Sequence, residues 1–304
     1  GHGAGLGDLD GDGDIDAVIV CASYGDRSGE YDAPTRVYLN DGRGVFTDSG
    51  QDFGDTELSG TGVTLADVDM DGDLDALVNY YGADNVVWLN DGHGSFSRGE
   101  GTFPGSSTFG DLDGDGIVDL FSKEHEKGYF VMTGNGDGTF SERWRIDDAG
   151  AVVWGDVLLV DIDSDGDLDA FATNGHFMRS AWPSSLWLND GTGLMSRAGG
   201  ELPALMNSAL AAADLDGDGS LEIICSDHYN PVRIYSIRIR EDGSGDRDIE
   251  LLDTGVSMSC MEMYRDIDAR DLDGDGDVDL FLSNFNRAGR GGPNEVWIND
   301  SPRR

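Results

Sequence analysis

The chain has 304 residues, with 60 acidic side chains against 20 basic ones and a formal net charge of -40. That balance excludes nucleic acid and anionic membrane surfaces as partners, because phosphate recognition needs a basic footprint. Hydrophobic residues at 38% can build a core, glycine is about twice its usual share, and no apolar run approaches the roughly 18 residues of a membrane span.

The N-terminal Gly1-His2-Gly3 starts no basic-then-apolar leader, as a mature secreted chain also would not. The first predicted element is a strand of small residues, Gly3–Gly7, which runs into the string Asp8–Asp16 (DLDGDGDID). The pattern D-x-D-x-D-G-x-x-[DE] recurs at Asp67–Asp75, Asp111–Asp119, Asp161–Asp169, Asp214–Glu222 and Asp271–Asp279, with steps of 44 to 59 residues between copies. A period of this size marks a propeller, a solenoid or another array.

Each copy suits Ca²⁺, a hard cation that takes about six to eight oxygens from carboxylates and carbonyls. Carboxylates at positions 1, 3 and 5 converge if the chain turns sharply, and the glycine at position 6 permits that turn. Position 7 offers its carbonyl and position 9 a closing carboxylate. The ligand sets are therefore Asp8, Asp10, Asp12, Asp14 and Asp16; Asp67, Asp69, Asp71, Asp73 and Asp75; Asp111, Asp113, Asp115, Ile117 and Asp119. The later three are Asp161, Asp163, Asp165, Asp167 and Asp169; Asp214, Asp216, Asp218, Ser220 and Glu222; Asp271, Asp273, Asp275, Asp277 and Asp279. So many carboxylates in nine residues repel one another unless a cation sits among them. About six calcium ions are expected.

An apolar β-rich run follows every loop: Ala17–Cys21, Ala76–Tyr81, Leu120–Ser122, Ala170–Thr173, Ile223–Cys225 and Leu280–Leu282. A second strand comes next, at Arg36–Leu39, Val86–Leu89, Tyr129–Met132, Leu186–Leu188, Val232–Tyr235 and Val296–Ile298. Hairpin signals such as Asn40-Asp41-Gly42 and Asn90-Asp91-Gly92 then lead into a short fourth strand. Cys21 and Cys225 lie in apolar runs and read as small core residues, and with Cys260 they have neither disulfide-framework nor metal-site spacing.

The unit is thus an antiparallel sheet of four strands and about 50 residues, the blade of an all-β propeller. Six repeats, near 1–53, 54–101, 102–146, 147–200, 201–255 and 256–304, predict six blades in one domain over 1–304, the last lacking its fourth strand. A linear β-solenoid is the structural alternative, but calcium-binding β-helix repeats are much shorter.

With its DLDGDGDxD loops and the strings VYLNDGRGVF, VWLNDGHGSF and SLWLNDGTGL, the sequence resembles the FG-GAP/VCBS repeat family of integrin α-subunit-like calcium propellers. The bacterial VCBS-type members are the nearer likeness, since all six repeats carry a loop and no Gly-Ala-Pro string occurs. The resemblance implies that the face opposite the calcium loops holds the ligand. The connections on that face carry Tyr24, Tyr80, Tyr81, His125, His176, Phe177, His228, Tyr229, Phe285 and Arg287, aromatic and polar groups suited to a sugar or a polar peptide segment.

No Gly-x-Ser-x-Gly, His-Glu-x-x-His or phosphate-cradling glycine loop is present. The reading is a non-enzymatic, extracellular or cell-surface binding and adhesion module for a glycan or protein, monomeric or part of a larger chain. A lyase-type polysaccharide enzyme and a structural spacer of a surface protein are the alternatives.

Overall fold

The computed structural model describes residues 3–21, 34–55, 58–124, 127–147, 155–176, 180–200, 202–205, 209–227, 230–241, 247–258, 263–285 and 294–299. Every regular element among them is a β-strand, and the strands form the six blades of a β-propeller.

Blade 1 has β1 (Gly3–Gly7), β2 (Asp16–Val20), β3 (Arg36–Asn40) and β4 (Phe46–Asp48). Blade 2 follows with β5 (Ser59–Ala66), β6 (Asp75–Tyr81), β7 (Val86–Asn90) and β8 (Phe96–Arg98). Blade 3 comprises β9 (Ser106–Gly110), β10 (Asp119–Glu124), β11 (Gly128–Gly134) and β12 (Phe140–Asp147). Blade 4 is β13 (Val157–Val160), β14 (Asp169–His176), β15 (Ser180–Asn189) and β16 (Met195–Arg197), with the two-residue β17 (Ala204–Leu205) paired to β15. Blade 5 runs through β18 (Leu210–Ala213), β19 (Glu222–Asp227), β20 (Asn230–Glu241) and β21 (Arg247–Met258). Blade 6 pairs β22 (Met263–Arg270), β23 (Asp279–Phe285) and β24 (Glu295–Trp297), three strands among the described residues, as expected of the incomplete repeat. Within each sheet, consecutive strands pair antiparallel in chain order. The fourth strands of blades 3 and 5 are longer than expected, at 8 and 12 residues.

Two compact units divide the chain. One holds Gly1–Asp148 with Gly191–Leu194, and the other Ala149–Asp190 with Met195–Arg304.

The two middle strands of a blade read as unbroken apolar runs because both of their faces are buried. In β6, Ala76, Val78 and Tyr80 join a core cluster with Val18, Val20 and Val37 of blade 1, while Leu77 joins one with Leu120 and Phe130 of blade 3. In blade 5, Ile223 and Cys225 pack with Phe171 and Leu186 of blade 4, whereas Ile224 packs with Leu280 and Leu282 of blade 6. Alternation with a period of two therefore sorts residues between two neighbours and not between core and solvent. Cys225 is a buried core residue, Cys21 is half-buried, and Cys260 lies outside the described residues. The small inner strands have a matching cause: a Cβ on Gly3 would lie 2.9 Å from Gly62 Cα in β5.

Candidate functional site

All thirty predicted metal-ligand positions fall on described residues, and each nine-residue loop joins the first to the second strand of its blade. The turn works because two positions are left-handed. Position 6 is glycine in every copy, with φ of 86–100° (Gly13, Gly72, Gly116, Gly166, Gly219 and Gly276). Position 4 is also left-handed, at Gly11, Gly114, Gly217 and Gly274, but also at Met70 (φ 61°) and Ser164 (φ 60°), where the side chain makes the conformation costly.

The first carboxylate of the loop holds that turn. Asp8 accepts from Gly11 N–H (2.9 Å) and Gly13 N–H (3.0 Å), and Asp214 and Asp271 repeat the arrangement. Position 3 accepts from the backbone of position 5, as in Asp10 from Asp12, and position 5 from that of position 7, as in Asp115 from Ile117 (2.8 Å). Each acidic side chain thus folds back on its own loop, and the carboxylates face a common centre. In Asp8/Asp10/Asp16, Asp67/Asp69/Asp71, Asp111/Asp113/Asp115, Asp161/Asp163/Asp169 and Asp214/Asp216/Asp218, one oxygen from each of the three residues lies within 4.8 Å of the others.

The fit to a cation shows in atoms left without a partner. Asp67 Oδ1, Asp113 Oδ1 and Asp163 Oδ1 are buried and accept no hydrogen bond. Burying an ionised oxygen without a partner is costly, and an oxygen-only set of this kind suits a hard divalent cation. Burial, then repulsion from neighbouring aspartates, holds Asp10, Asp69 and Asp113 above the usual carboxylate range. The residues present fit a metal.

Position 9 has a second task that spacing alone does not reveal. Its side chain is buried in all six copies and accepts from the backbone N–H of position 2. In five copies the other oxygen accepts from a backbone N–H at the end of the third strand or, for Asn299, two residues past it: Asn40, Asn90, Gly134, Asn189 and Asn299, at 2.7–2.9 Å. The carboxylate clips loop, second strand and third strand together. Burial pushes Asp75 up to about 6 and Asp169 up to about 7 despite these donors. In the three-stranded last sheet, the N–H groups of Asn299 and Leu272 hold Asp279 below the usual range.

The asparagine of the Asn-Asp-Gly hairpin also joins neighbouring blades. Asn90 Nδ2 donates to Leu9 O of the first loop (2.9 Å) and to Leu74 O of its own loop (3.2 Å). Asn299 does the same with Leu215 O (2.7 Å) and Val278 O (3.2 Å). The sequence shows the recurrent asparagine but not this bond, whose acceptor lies 81 to 84 residues away.

The fourth loop carries a further group. Arg247, at the start of β21, pairs with Asp163 Oδ2 and, at 3.1 Å, with Asp165 Oδ2. The arginine places a fixed positive charge among the metal-facing acids of a neighbouring blade. No motif announces it.

Of the ten predicted ligand contacts, Tyr24, His125, Phe177, His228, Tyr229 and Arg287 lie outside the described residues. His176 and Phe285 end β14 and β23. Tyr80 is buried in the core between blades 1 and 2, with its hydroxyl donating to Asp55 Oδ2 (3.0 Å), and Tyr81 beside it is 52% exposed. The structure therefore describes the placement of both side chains at one of the six connections.

A family model described as FG-GAP-like repeat matches residues 8–78, 111–172 and 214–282, about two thirds of the chain. No curated protein matches the sequence. Among solved structures, the chain is similar to one titled as SapL1 lectin in complex with alpha methyl fucoside, at 14% identity and a TM-score of 0.51, covering 93% of this chain and 89% of that one. At that identity the likeness is one of fold.

Proposed function

We propose that this chain, which belongs to the FG-GAP-like repeat family, is a calcium-stabilised, non-enzymatic binding module that holds a glycan or protein ligand outside the cell or at its surface. The observation that carries the calcium part is the convergence of oxygen-only loops whose buried oxygens at Asp67, Asp113 and Asp163 have no partner. About six ions, one per loop, would neutralise the acids that crowd each turn. Their role is structural: a cation bound only by the folded loop adds its binding free energy to folding.

A glycan as ligand class is supported by the fold shared with a lectin whose structure holds a fucoside. Fold alone does not transfer a ligand, so the reading rests on recognition loops carried by a rigid scaffold. The ligand face is the one opposite the calcium loops, where the second-to-third-strand connections lie. Binding would then depend on calcium indirectly, through the order of the blades.

The test is a glycan array probed with calcium-loaded protein, with the same protein in excess EDTA, and after calcium is restored. Reversible, calcium-dependent binding to a defined set of glycans is expected. A blank array together with unchanged melting after verified metal removal would sink both halves of the reading.

A further inference from the structure

Blade 2 carries a cleft of about 230 Å³ away from its calcium loop, where β6 turns into β7 and the blade connections pass. Its walls are aromatic: Phe53, Tyr80 and Trp88 line it, and the Phe53 and Trp88 rings meet edge to face at 4.6 Å. Asp55 fixes this wall. It is 4% exposed and accepts from Thr35 N–H (3.1 Å), Thr35 Oγ1 (2.5 Å) and Tyr80 Oη (3.0 Å). The Tyr80 ring is thereby held in place before any ligand arrives.

Two groups in the lining have hydrogen-bonding capacity that the fold leaves unused. Arg98 is exposed, and its guanidinium makes no ion pair or hydrogen bond among the described residues. Asp84 receives Thr102 Oγ1 on Oδ2 (3.1 Å), which leaves Oδ1 to accept. Trp88 Nε1 is buried beside the Tyr80 side chain and faces the wall, not the opening. Blade 4 offers a contrast. Its corresponding cross-strand pair is Trp187 and Arg197, and there the guanidinium lies over the indole at 5.8 Å. In blade 2 the arginine lines an open cleft instead.

We infer that this cleft seats one neutral pyranose ring, the terminal sugar of the glycan. The inference rests on the glycan reading above and names its site. Charge excludes the alternatives. An anion would meet Asp55 and Asp84 in a chain of net charge -40, and a bare cation would leave the Arg98 guanidinium without an acceptor. A wholly apolar ligand would bury Arg98 and Asp84 without satisfying them. A polyol does what none of these can: its hydroxyls donate to Asp84, accept from Arg98, and leave the C–H face of the ring for the aromatic wall. Size limits the ligand as well, since 230 Å³ is below the ~300–1,000 Å³ of sites for larger ligands.

The experiment uses the full chain with saturating calcium. Methyl glycosides of glucose, galactose, mannose and fucose are titrated by calorimetry and saturation-transfer NMR, with glucuronic acid as the anionic control. Arg98→Ala and Asp84→Ala are the test variants, because both side chains are exposed and neither should lower the melting temperature. At least one neutral glycoside should bind, and each variant should weaken it by about tenfold or more, the worth of a charge-assisted hydrogen bond. Preference for glucuronic acid, or binding of longer glycans with none of the four monosaccharides, overturns the neutral single-ring assignment. An array signal that survives both substitutions puts the ligand elsewhere and leaves the broader glycan reading standing. A blank array removes both.

Discussion

Replacing Asn90 with alanine isolates the bond between blades from the metal chemistry. The substitution deletes the donations to Leu9 O (2.9 Å) and Leu74 O (3.2 Å) but keeps the backbone N–H on Asp75 (2.8 Å). Leu9 O keeps one partner, Gly94 N–H at 2.8 Å. Two neutral hydrogen bonds are worth roughly 1–3 kcal/mol in total. Against that, Asn90 Oδ1 is itself buried and unpartnered, so removing it returns part of the cost, and a net loss of about 1–2 kcal/mol follows. At roughly 2–4 °C per kcal/mol for a chain of this size class, melting should fall by about 2–8 °C. Asn40 is the control. It is less buried, it donates only to Ile15 O of its own loop (3.1 Å), and its Oδ1 accepts from Gly44 N–H (3.2 Å). Urea unfolding in saturating calcium should show a lower midpoint for Asn90→Ala at unchanged slope, and a smaller change for Asn40→Ala. Equal losses at the two positions, or none at Asn90, would refute the claim that this side chain ties one blade to the next.

Without metal, the pH dependence should invert. Burial holds Asp75 near 6 and Asp169 near 7, so between about pH 4 and 7 the folded chain binds more protons than the unfolded one, and stability falls as pH rises through that window. Chelated protein should melt higher at pH 5 than at pH 7.5, and a flat or opposite trend by calorimetry would count against the buried clip. Arg247→Met removes the cation paired with Asp163 and Asp165. Calcium titration should show one site tightened, and an unchanged isotherm would show that the arginine does not compete. Ser164→Gly relieves a left-handed serine (φ 60°) on an exposed turn. The relief of ~1–2 kcal/mol, less ~0.4–1 for glycine's freer unfolded chain, should raise stability by about 0.5–1 kcal/mol in urea, and destabilisation would contradict the strain.

Much of the fold was legible because the chain repeats itself. The strand Gly3–Gly7 agrees with its prediction to the residue, since small residues before an aspartate loop leave few choices. Boundaries after the loops were drawn late. Position 9 was read as the loop's end, whereas Asp16 and Asp75 begin β2 and β6 because their side chains reach across to the third strand. The length of β21, 12 residues, was not foreseen because the hairpin signal before it, Glu241 to Gly245, has diverged from the Asn-Asp-Gly form. Local chemistry was readable too: carboxylates two residues apart must face one centre if the turn is tight. The partners of Asn90 and Arg247 were not, because no spacing rule encodes a contact some 80 residues distant. The cleft escaped for a related reason. Asp55, Trp88 and Arg98 come from three segments, and only the packing of blade 1 against blade 2 collects them.

The hairpin asparagine has an exception with thermal consequences. At the third repeat its place is taken by Gly134, which keeps the backbone bond to Asp119 (2.8 Å) but has no amide to offer blade 2. Gly138 N–H still crosses to Val68 O (3.2 Å), as Gly94 N–H does to Leu9 O (2.8 Å) one junction earlier, and at the end away from the calcium loops Asn79 and Ser107 exchange two hydrogen bonds (2.9 and 3.0 Å). The third repeat thus gives up one polar tie beside the calcium loops, while the end of the junction away from them stays pinned, with Asn85 Nδ2 also donating to Ser107 Oγ (3.0 Å). On warming, the seam between blades 2 and 3 should therefore open from its calcium side, where one tie is missing, before the side that Asn79 and Asn85 hold.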